Sequence, residues 1–307
     1  MAFPEFYDPD KVGQIYVPAT AAAVNAGRAA GLASAAKAQV RTILVLVDVQ
    51  IDFVHEQGAL TVPGAIADTR RTIEWIYLNV SRLTTIAASL DSHVPIQIFF
   101  PLWWVDENDQ HPTPYTVIRS ADVQAGKWRP LFQPEWSVEY VEILEHNAKR
   151  ELMIWPYHCL TGSVGHALMP SLYEAIAYHS AARQAQPLFL AKGNIPETEH
   201  YSILEPEVKV PNHQQGTLNT DFLNMLAGYD RIFIAGQAKS HCVLETVNSM
   251  VRFFDDQPKT LRKIRILRDA MSSVAHPTID FEALAAKTFR DFESRGLQMV
   301  DTSMPVR

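Results

Sequence analysis

The sequence predicts an α/β protein built on a doubly wound, mostly parallel sheet with helices on both faces. Two observations support this fold class. Apolar, β-branched runs such as TILVLV and RIFIAG have the composition and length of buried strands. The segment VLETVNSMVRFF follows RIFIAG after a short turn, and its apolar residues recur at helical spacing. Strands that alternate with helices along a chain are typical of parallel sheets.

Four apolar runs are predicted as strands. The first is Thr42–Phe53, whose apolar part ends in an aspartate. The second is Pro95–Phe100, written PIQIFF, which continues into PLWW. The third is the short run Pro187–Asn194, which ends in a lysine and a glycine, and the fourth is Arg231–Gly236. Short apolar runs of this kind are the pattern of strands buried in a sheet.

Composition limits the classes of function. The chain has 307 residues, of which 47% are hydrophobic and 20% charged, as is typical of a globular protein with a large core. Its formal net charge of -7 argues against binding to nucleic acid or to an anionic membrane. No run of about 18 or more apolar residues is present that could span a membrane. The two cysteines give no disulfide framework, which favours a cytoplasmic location.

We predict one domain over residues 41–307, preceded by an N-terminal extension of residues 1–40. The extension lacks the charged start and apolar stretch of a secretory signal. Its Ala-rich piece, Pro18–Gln39, contains strong helix formers and presents mostly small side chains. A helix of this kind packs closely against another surface, either on its own domain or on a neighbouring subunit.

Cys242 lies in the predicted turn between the strand Arg231–Gly236 and the helix that follows it. A thiol in this setting is at the positive end of a helix dipole, which favours the thiolate, the nucleophilic form. The alternative is a structural cysteine that fills a gap in the core, and for an isolated cysteine that alternative is preferred. Two other segments shift the balance toward a nucleophile.

Asp48 and Lys192 each close an apolar strand, as Cys242 does. The carboxyl ends of parallel strands meet at one edge of the sheet, where ligands bind in α/β folds. A carboxylate at the end of a buried strand also needs a partner, because burial without one is costly. Taken singly, Lys192 could be a solvated strand end and Asp48 a helix cap. The three residues together favour an active site.

Several motifs resemble those of the cysteine hydrolases of the isochorismatase-like superfamily, which includes nicotinamidases and N-carbamoylsarcosine amidase. In chain order they are LVLVDVQIDF with a following GAL and VPGA, WPYHCLTGSVGHAL, AKGN with EHYS, and GQAKSHCV. They span roughly residues 42–250 and occur in the family's order. Arg265–Ser273, RILRDAMSS, is similar to the family's last strand and the turn after it. The resemblance implies a Rossmann-like three-layer fold.

The resemblance implies a catalytic triad of Asp48, Lys192 and Cys242. Asp48 would accept the thiol proton and return it to the leaving amine, which is general base and then general acid catalysis. Lys192 would hold the carboxylate and lower the thiol pKa. The thiolate would attack an amide carbonyl and form a thioester that water hydrolyses. The backbone N–H groups of Ala238 and Cys242 would form the oxyanion hole, next to a cis peptide between Gln237 and Ala238.

The resemblance also suggests the substrate pocket. Phe53 and Trp155 match aromatic residues that flank a flat ring substrate, and Tyr201 matches a third after a small insertion. Trp155 could equally be a core or interface aromatic. His241 could be taken for the base of a Cys–His pair, but adjacent residues on a turn usually point apart, so we do not expect that role.

We expect no metal cofactor. Nicotinamidases carry an Asp-x-His after their second strand, together with the His of the W-P-x-H-C motif, here His158. After the predicted strand PIQIFF, Leu102 and Trp104 stand at the positions of that Asp and His, and neither can bind a metal. His158 is then expected to be a pocket residue that is hydrogen-bonded rather than a ligand.

Three polar residues soon after these positions leave a metal site open as an alternative. Asp106, Asp109 and His111 lie a few residues beyond the missing ligands and could replace them. A charged loop of this kind is more often simply solvated. The expectation therefore remains a site without a metal, in which pyridine carboxamides are poor substrates.

The region near residues 103–150 is predicted to be an insertion. It is rich in Pro, Asp and aromatic residues, and its tryptophans at 103, 104 and 128 favour an ordered loop over disorder. Val138–Glu151 then has the apolar periodicity of a helix. We expect this inserted segment to be a lid near the pocket mouth or an oligomer contact, and to govern substrate specificity.

The function expected from these features is cysteine-dependent hydrolysis of a C–N bond in a small amide or ureido compound. A vinyl-ether hydrolase of the isochorismatase type is the first alternative, and the cysteine counts against it, because siderophore-pathway isochorismatases generally lack this nucleophile. A catalytically silent binding protein of the same fold is the second alternative. The expected partners are a small-molecule amide substrate and further copies of the chain in a homo-oligomer.

Overall fold

The computed structural model describes residues 3–147, 150–276, 278–304 and 306. The strands are β1 (Thr42–Val47), β2 (Thr85–Asp91), β3 (Trp104–Val105), β4 (Val117–Ile118), β5 (Arg129–Pro130), β6 (Leu152–Met153), β7 (Leu188–Lys192), β8 (Arg231–Gly236), β9 (Ile264–Leu267) and β10 (Gln298–Val300). The helices are α1 (Thr20–Ala29), α2 (Ile51–Val54), α3 (Ala65–Asn79), α4 (Ser120–Gln124), α5 (Pro134–Asn147), α6 (Pro170–Arg183), α7 (Thr220–Ala227), α8 (Leu244–Phe253), α9 (Pro258–Leu261) and α10 (Phe281–Ser294). Among these helices, none has the length and apolarity needed to cross a membrane.

Six strands form one sheet in the order β10-β9-β8-β1-β2-β7, and each neighbouring pair in it is parallel. The strand order runs outward from β1 in both directions, because β2 and β7 lie on one side and β8, β9 and β10 on the other. This is the doubly wound arrangement that the sequence predicts. The remaining strands form two short antiparallel pairs, β3 with β5 and β4 with β6.

Side chains of β1 point alternately into two separate cores. Leu44 and Leu46 belong to the core formed with α3 and α6. Ile43, Val45 and Val47 belong to the core formed with α7, α8 and α10. The whole of β1 is buried, as expected for a central parallel strand that is covered on both faces. The predicted three-layer fold with helices on both faces is confirmed.

The second strand of the sheet is Thr85–Asp91, so the prediction of Pro95–Phe100 as that strand is wrong. Pro95–Phe100 is an irregular segment, and its side chains Ile98, Phe99 and Phe100 are fully buried. Its apolar run therefore reflects packing under the sheet edge and not strand pairing. The true strand, TIAASLD, has two alanines and a serine at its centre, which weakens the sequence signal for a strand.

The Ala-rich helix is shorter than the predicted Pro18–Gln39, because α1 ends at Ala29, just before Gly31 with a positive φ of 62°. It lies against α6 of the same chain. Gly27 makes the closest approach, since a Cβ there would lie 2.4 Å from the carbonyl oxygen of Tyr178. Of the two surfaces considered for this helix, its own chain is therefore the one that it covers.

The inserted segment is ordered, as its tryptophans predict. Trp103 and Trp104 are buried, and their indole N–H groups donate to Ser137 Oγ at 2.9 Å and to the carbonyl oxygen of Ile98 at 2.6 Å. The helix predicted over Val138–Glu151 is α5, which begins four residues earlier, at Pro134. Residues 148–149 of that prediction lie outside the described residues.

Candidate active site

Four reactive side chains lie together at the carboxyl edge of the sheet. Asp48 directly follows β1, Asp91 ends β2 and Lys192 ends β7, and these three strands are neighbours. Cys242 lies in a π-helical turn, Lys239–Val243, after β8 on the other side of β1. Parallel strands bring these residues together because their carboxyl ends share one edge. The three residues selected from the sequence are therefore neighbours. Asp91, which was not selected from the sequence, lies with them.

The ammonium group of Lys192 occupies the centre of this cluster. Its Nζ lies 3.1 Å from Asp48 Oδ2 and 2.8 Å from Asp91 Oδ1. The same atom donates to the carbonyl oxygen of His200 at 2.8 Å and to Cys242 Sγ at 3.7 Å. Only 1% of the Lys192 side chain is exposed, so these contacts replace its hydration.

Burial and charge act against each other in this cluster. Burial alone would lower the pKa of Lys192, but the carboxylates of Asp48 and Asp91 raise it well above its usual value, so the side chain stays charged. Burial raises the pKa of Asp48, and the nearby ammonium of Lys192 only partly opposes that change. A carboxyl group whose pKa is raised in this way can both accept and return a proton.

Opposing influences act on the thiol of Cys242. Burial raises the pKa of Cys242 well above its usual value, although the Lys192 ammonium acts to lower it. Asp48 and Asp91 add negative charge that also raises this pKa. These causes favour the neutral thiol, whereas the position at a helix N-terminus and the Lys192 ammonium favour the thiolate. A neutral thiol needs a base at the moment of attack.

Asp48 is held in place by Ser89, a residue of β2. The Ser89 hydroxyl donates to Asp48 Oδ1 at 2.5 Å and accepts the backbone N–H of Asp48 at 3.0 Å. Asp48 has a positive φ of 47°, an uncommon conformation for a residue with a side chain, and such strain is often found at functional positions. The two hydrogen bonds fix the backbone and the carboxylate of Asp48 together.

The turn before Cys242 contains a cis peptide bond between Gln237 and Ala238, where the resemblance implies one. The Gln237 side chain is fixed at both ends, because its Nε2 donates to Asp68 at 3.0 Å and its Oε1 accepts the N–H of Ser272 at 3.3 Å. The N–H of Ala238 donates to no acceptor in the part of the chain that the structure describes. That donor is therefore available to a ligand beside Cys242.

A second cluster, of possible metal ligands, adjoins the first. Asp91, His93 and His158 are buried, and each offers one ligand atom within 4.8 Å of the other two. The imidazole Nδ1 of His93 lies 2.9 Å from the carbonyl oxygen of Gly193, and Nδ1 of His158 lies 2.7 Å from that of Pro156. A carbonyl oxygen can only accept, so both Nδ1 atoms carry the proton. Each Nε2 then either offers a lone pair, if the imidazole is neutral, or carries a second proton, if the imidazole is cationic.

The donor set fits a divalent transition metal. The Nε2 of His93 is buried without a hydrogen-bond partner among the described residues, although it lies 3.0 Å from Asp91 Oδ2. Burial lowers the pKa of His158 to about 3, which keeps that imidazole neutral, as a metal ligand must be. Burial also acts to lower the pKa of His93, but Asp91 raises it overall, so a metal ion bound there would have to displace a proton from His93. Two imidazoles held through Nδ1–H by backbone carbonyls, plus one carboxylate, form a usual ligand set for catalytic zinc or non-haem iron.

The expectation of a site without a metal rested on the wrong second strand. Because β2 ends at Asp91, the Asp-x-His that follows the second strand is Asp91-Ser-His93, and Leu102 and Trp104 lie further along the chain, in the inserted segment. Trp104 is a core residue of the inserted segment. His158, expected as a hydrogen-bonded pocket residue, lies in the cluster of possible ligands and has its Nδ1 bonded to the carbonyl oxygen of Pro156.

The alternative ligands considered for the metal are engaged elsewhere. Asp106 accepts the N–H groups of Asn108 and Gln110 in a turn. Asp109 pairs with an exposed arginine, and His111 Nδ1 bonds the carbonyl oxygen of Trp104 at 2.8 Å. None of these three belongs to a ligand cluster in the part of the chain that the structure describes. These residues therefore belong to a solvated loop, which is the interpretation that the sequence favours.

The aromatic residues predicted for the pocket separate into two places. Trp155 and Tyr201 line a cavity of about 370 Å³ next to the turn of the nucleophile, and His241 lines it with them. The indole N–H of Trp155 donates to the Tyr201 hydroxyl at 3.2 Å. Phe53 lies on the other side, where its ring contacts that of His158 at 5.5 Å between centroids. The ring of His241 packs edge-on against Trp155, and its Nδ1 lies 2.8 Å from Ser240 Oγ.

Sequence reasoning missed Asp91, His93 and Ser89. All three lie in the segment AASLDSH, whose apolar character is too weak to stand out beside the neighbouring PIQIFF. An Asp-x-His directly after a short run of small residues was the available signal. Small residues suit a strand in the middle of a parallel sheet, because helices cover both of its faces closely.

Solved structures of other proteins share this fold. A yeast nicotinamidase has 18% sequence identity, with 85% of this chain and 100% of the other covered and a TM-score of 0.56. A nicotinamidase/pyrazinamidase from Acinetobacter baumanii has 17% identity, with 87% and 98% covered and a TM-score of 0.55. PnC1 from L. infantum, in complex with nicotinate, has 19% identity, with 90% and 98% covered and a TM-score of 0.51.

The fold implied by the resemblance is therefore confirmed, and at these identities the likeness establishes the fold alone. No family model matches this chain, and no curated protein matches it in sequence.

The central ion pair generates a stability prediction. The variant Lys192→Met leaves the buried carboxylates of Asp48 and Asp91 without their cation. We therefore expect the free energy of unfolding, measured by urea denaturation, to fall by about 3–5 kcal/mol. The double variant Lys192→Met/Asp48→Asn should recover part of that loss. As a matched control, Lys127→Met breaks an exposed pair with Asp122 and should change the free energy by less than about 1 kcal/mol. Equal effects of the two Lys→Met variants would contradict this description.

The ligand cluster generates a metal prediction. We expect the protein to bind one zinc or iron(II) ion per chain, and His93→Ala or His158→Ala to weaken zinc binding by more than about 100-fold in competition with a chelating dye. His111→Ala, the matched control from the inserted segment, should bind zinc as the unmodified protein does. A loss of zinc in His111→Ala with retention in His93→Ala would contradict the assignment.

Proposed function

We propose that this chain is a cysteine amidohydrolase that cleaves the C–N bond of a small carboxamide or ureido compound through a thioester intermediate. The observation that carries the proposal is the buried contact of one ammonium with a carboxylate and a thiol, Lys192 with Asp48 and Cys242. A base, a cation and a nucleophile in mutual contact are the minimum set for acyl transfer to sulfur. The ligand cluster beside them adds a site for a metal.

Asp48 is the general base and then the general acid. As Cys242 Sγ bonds to the amide carbonyl carbon, Asp48 takes the thiol proton, and it passes that proton to the nitrogen as the C–N bond breaks. In the second half, water attacks the thioester, Asp48 takes a proton from the water, and the proton returns to the sulfur that leaves. Its raised pKa supports both directions of transfer.

Lys192 provides charge and does not exchange protons in this scheme. Its raised pKa keeps it an ammonium throughout the reaction. The positive charge stabilises the Asp48 carboxylate before attack, and it stabilises the sulfur anion as Cys242 loses its proton. The contact with Asp91 fixes the ammonium between the triad and the ligand cluster.

The oxyanion that forms at the carbonyl needs preorganised donors. The N–H groups of Ala238 and Cys242 are the proposed oxyanion hole, and the N–H of Ala238 has no acceptor among the described residues. Backbone donors directed at a developing oxyanion are worth about 10²–10³ in rate each. Both groups belong to the same turn as the nucleophile, so they move with it.

Asp91, His93 and His158 are the proposed ligands of a divalent metal. When bound, such an ion supplies a fixed positive charge and a Lewis-acid contact beside the triad. Phe53 packs against the His158 ring and excludes water on that side, while Trp155 and Tyr201 provide aromatic walls on the other. The substrate pocket is proposed to lie between these two groups of residues.

An ammonia-release assay with the metal-loaded protein and a panel of small carboxamides and ureido compounds tests the proposal. Once a substrate is found, we expect Cys242→Ala and Asp48→Asn each to lower kcat by about 10³-fold or more, while the proteins stay folded by circular dichroism. Cys159→Ala is the matched control, since Cys159 is the other buried cysteine, and it should retain activity. Turnover that survives in Cys242→Ala would show that another residue is the nucleophile.

A further inference from the structure

The cavity of about 370 Å³ lies beside the turn of the nucleophile, and three of its lining residues, Trp155, Tyr201 and His241, are close in the chain to residues of the candidate site. Trp155 lies three residues before His158, and His241 directly precedes Cys242. Tyr201 directly follows His200, whose carbonyl oxygen accepts a hydrogen bond from Lys192 Nζ. Cys242 does not line the cavity itself, but Ser240 and His241 of the same turn do, so the cavity adjoins the turn of the nucleophile. The cavity is the natural place for the part of the substrate that does not react.

The outer walls of the cavity come from two elements, the inserted segment and α10. Val117 of the inserted segment faces it, and α10 contributes Leu284 together with Phe281 at the start of the helix. Ile279 before α10 and Leu244 at the start of α8 complete an apolar lining. Leu284 is 58% exposed, which is high for a leucine and places an apolar side chain at the cavity mouth.

The charged residues that line the cavity are already paired. Arg150 forms an ion pair with Glu245, and its guanidinium lies over the ring of Tyr201 at 5.3 Å. Glu151 pairs with Arg119 at 2.6 Å. Among the described lining residues, no unpaired charge therefore remains to recognise an ionic substituent. An ion placed in the cavity would lose hydration without gaining a partner, which is costly.

The polar groups of the inner wall are also largely engaged. Ser240 Oγ accepts the N–H of Val274 at 3.1 Å and lies at hydrogen-bond distance, 2.8 Å, from His241 Nδ1, so each of the two groups already has a partner. Burial lowers the pKa of His241 to about 3, and the imidazole is neutral. The indole N–H of Trp155 is used by the Tyr201 hydroxyl. The wall therefore presents mainly aromatic faces and edges to a ligand.

We propose that the substrate is a carboxamide whose acyl part is a neutral, apolar group larger than one six-membered ring, held in this cavity between the inserted segment and α10. The proposal rests on the amidohydrolase function and adds a substrate class to it. A cavity of about 150 Å³ is enough to hold benzene. The cavity here is more than twice that size, so a single ring would leave much of its apolar lining in contact with water.

The test compares matched primary amides with the metal-loaded full-length protein, with ammonia release as the readout. Benzamide is the small reference, and naphthalene-2-carboxamide is the larger neutral substrate. The ionic analogues are 4-carbamoylbenzoate and 4-(trimethylammonio)benzamide. We expect kcat/KM for the naphthalene amide to exceed that for benzamide by about tenfold, because more apolar surface is buried. Both ionic analogues should fall below benzamide by about tenfold.

Two variants on α10 locate the effect. Leu284→Glu places a carboxylate at the apolar mouth, and we expect it to lower the ratio of the two kcat/KM values, naphthalene amide over benzamide, by about tenfold. Ala283→Glu adds the same charge to the adjacent exposed position outside the lining, and the ratio should stay unchanged. Both positions are exposed, so neither change disturbs the core.

The outcomes separate this inference from the proposed function. If neither these amides nor the wider panel of small carboxamides and ureido compounds releases ammonia, the amidohydrolase function is wrong. If other compounds of the wider panel are hydrolysed and none of these aromatic amides is, the function stands and the substrate class is wrong. If benzamide is hydrolysed but the naphthalene amide shows no gain, or an ionic analogue is preferred, the function stands and the substrate class is wrong. A ratio that falls equally in Leu284→Glu and Ala283→Glu would also overturn the assignment of the cavity.

Discussion

The buried ammonium of Lys192 is the interaction on which the rest of the site depends. It contacts Asp48, Asp91 and Cys242 at once, so one cation joins the proposed triad to the proposed ligand cluster. Two buried carboxylates within a few ångströms would otherwise repel each other strongly. The ammonium also leaves no room for a metal between Asp48, Asp91 and Cys242, although their atoms are close enough to bind one. Of the two groups of side chains close enough to bind a metal, we therefore propose Asp91 and the two histidines as the site.

The parallel sheet is what makes this arrangement possible. β7, β2 and β1 are adjacent and point the same way, so their last residues meet without any long loop to hold them. Small residues in the middle of β2 let helices pack closely on both faces, and Ser89 among them fixes Asp48 from the neighbouring strand. The outer part of the site, by contrast, is built by the inserted segment and α10. In the function that we propose, catalysis and substrate specificity therefore come from separate parts of the chain.

The sequence could predict the parts of the site that follow strong strand signals. β1, β7 and β8 are apolar runs with clear ends, so Asp48, Lys192 and the turn of Cys242 could be located from the residues alone. The ligand cluster could not, because its strand is made of small residues while a more apolar segment nearby is a buried loop. The protonation state of Cys242 was also beyond reach, since it depends on burial, which only the folded chain defines. The cavity depends on contacts between distant segments and has no local signature.

The central claim is that hydrolysis passes through a thioester on Cys242, and nucleophile partitioning tests it most directly. An amide and the methyl ester of the same acid would form the same acyl-enzyme, so added hydroxylamine should divert both to hydroxamate in one common ratio of hydroxamate to acid. We predict equal ratios for the two substrates across a range of hydroxylamine concentrations, and no hydroxamate with Cys242→Ala. Ratios that differ between amide and ester, or hydroxamate formed by Cys242→Ala, would contradict the account.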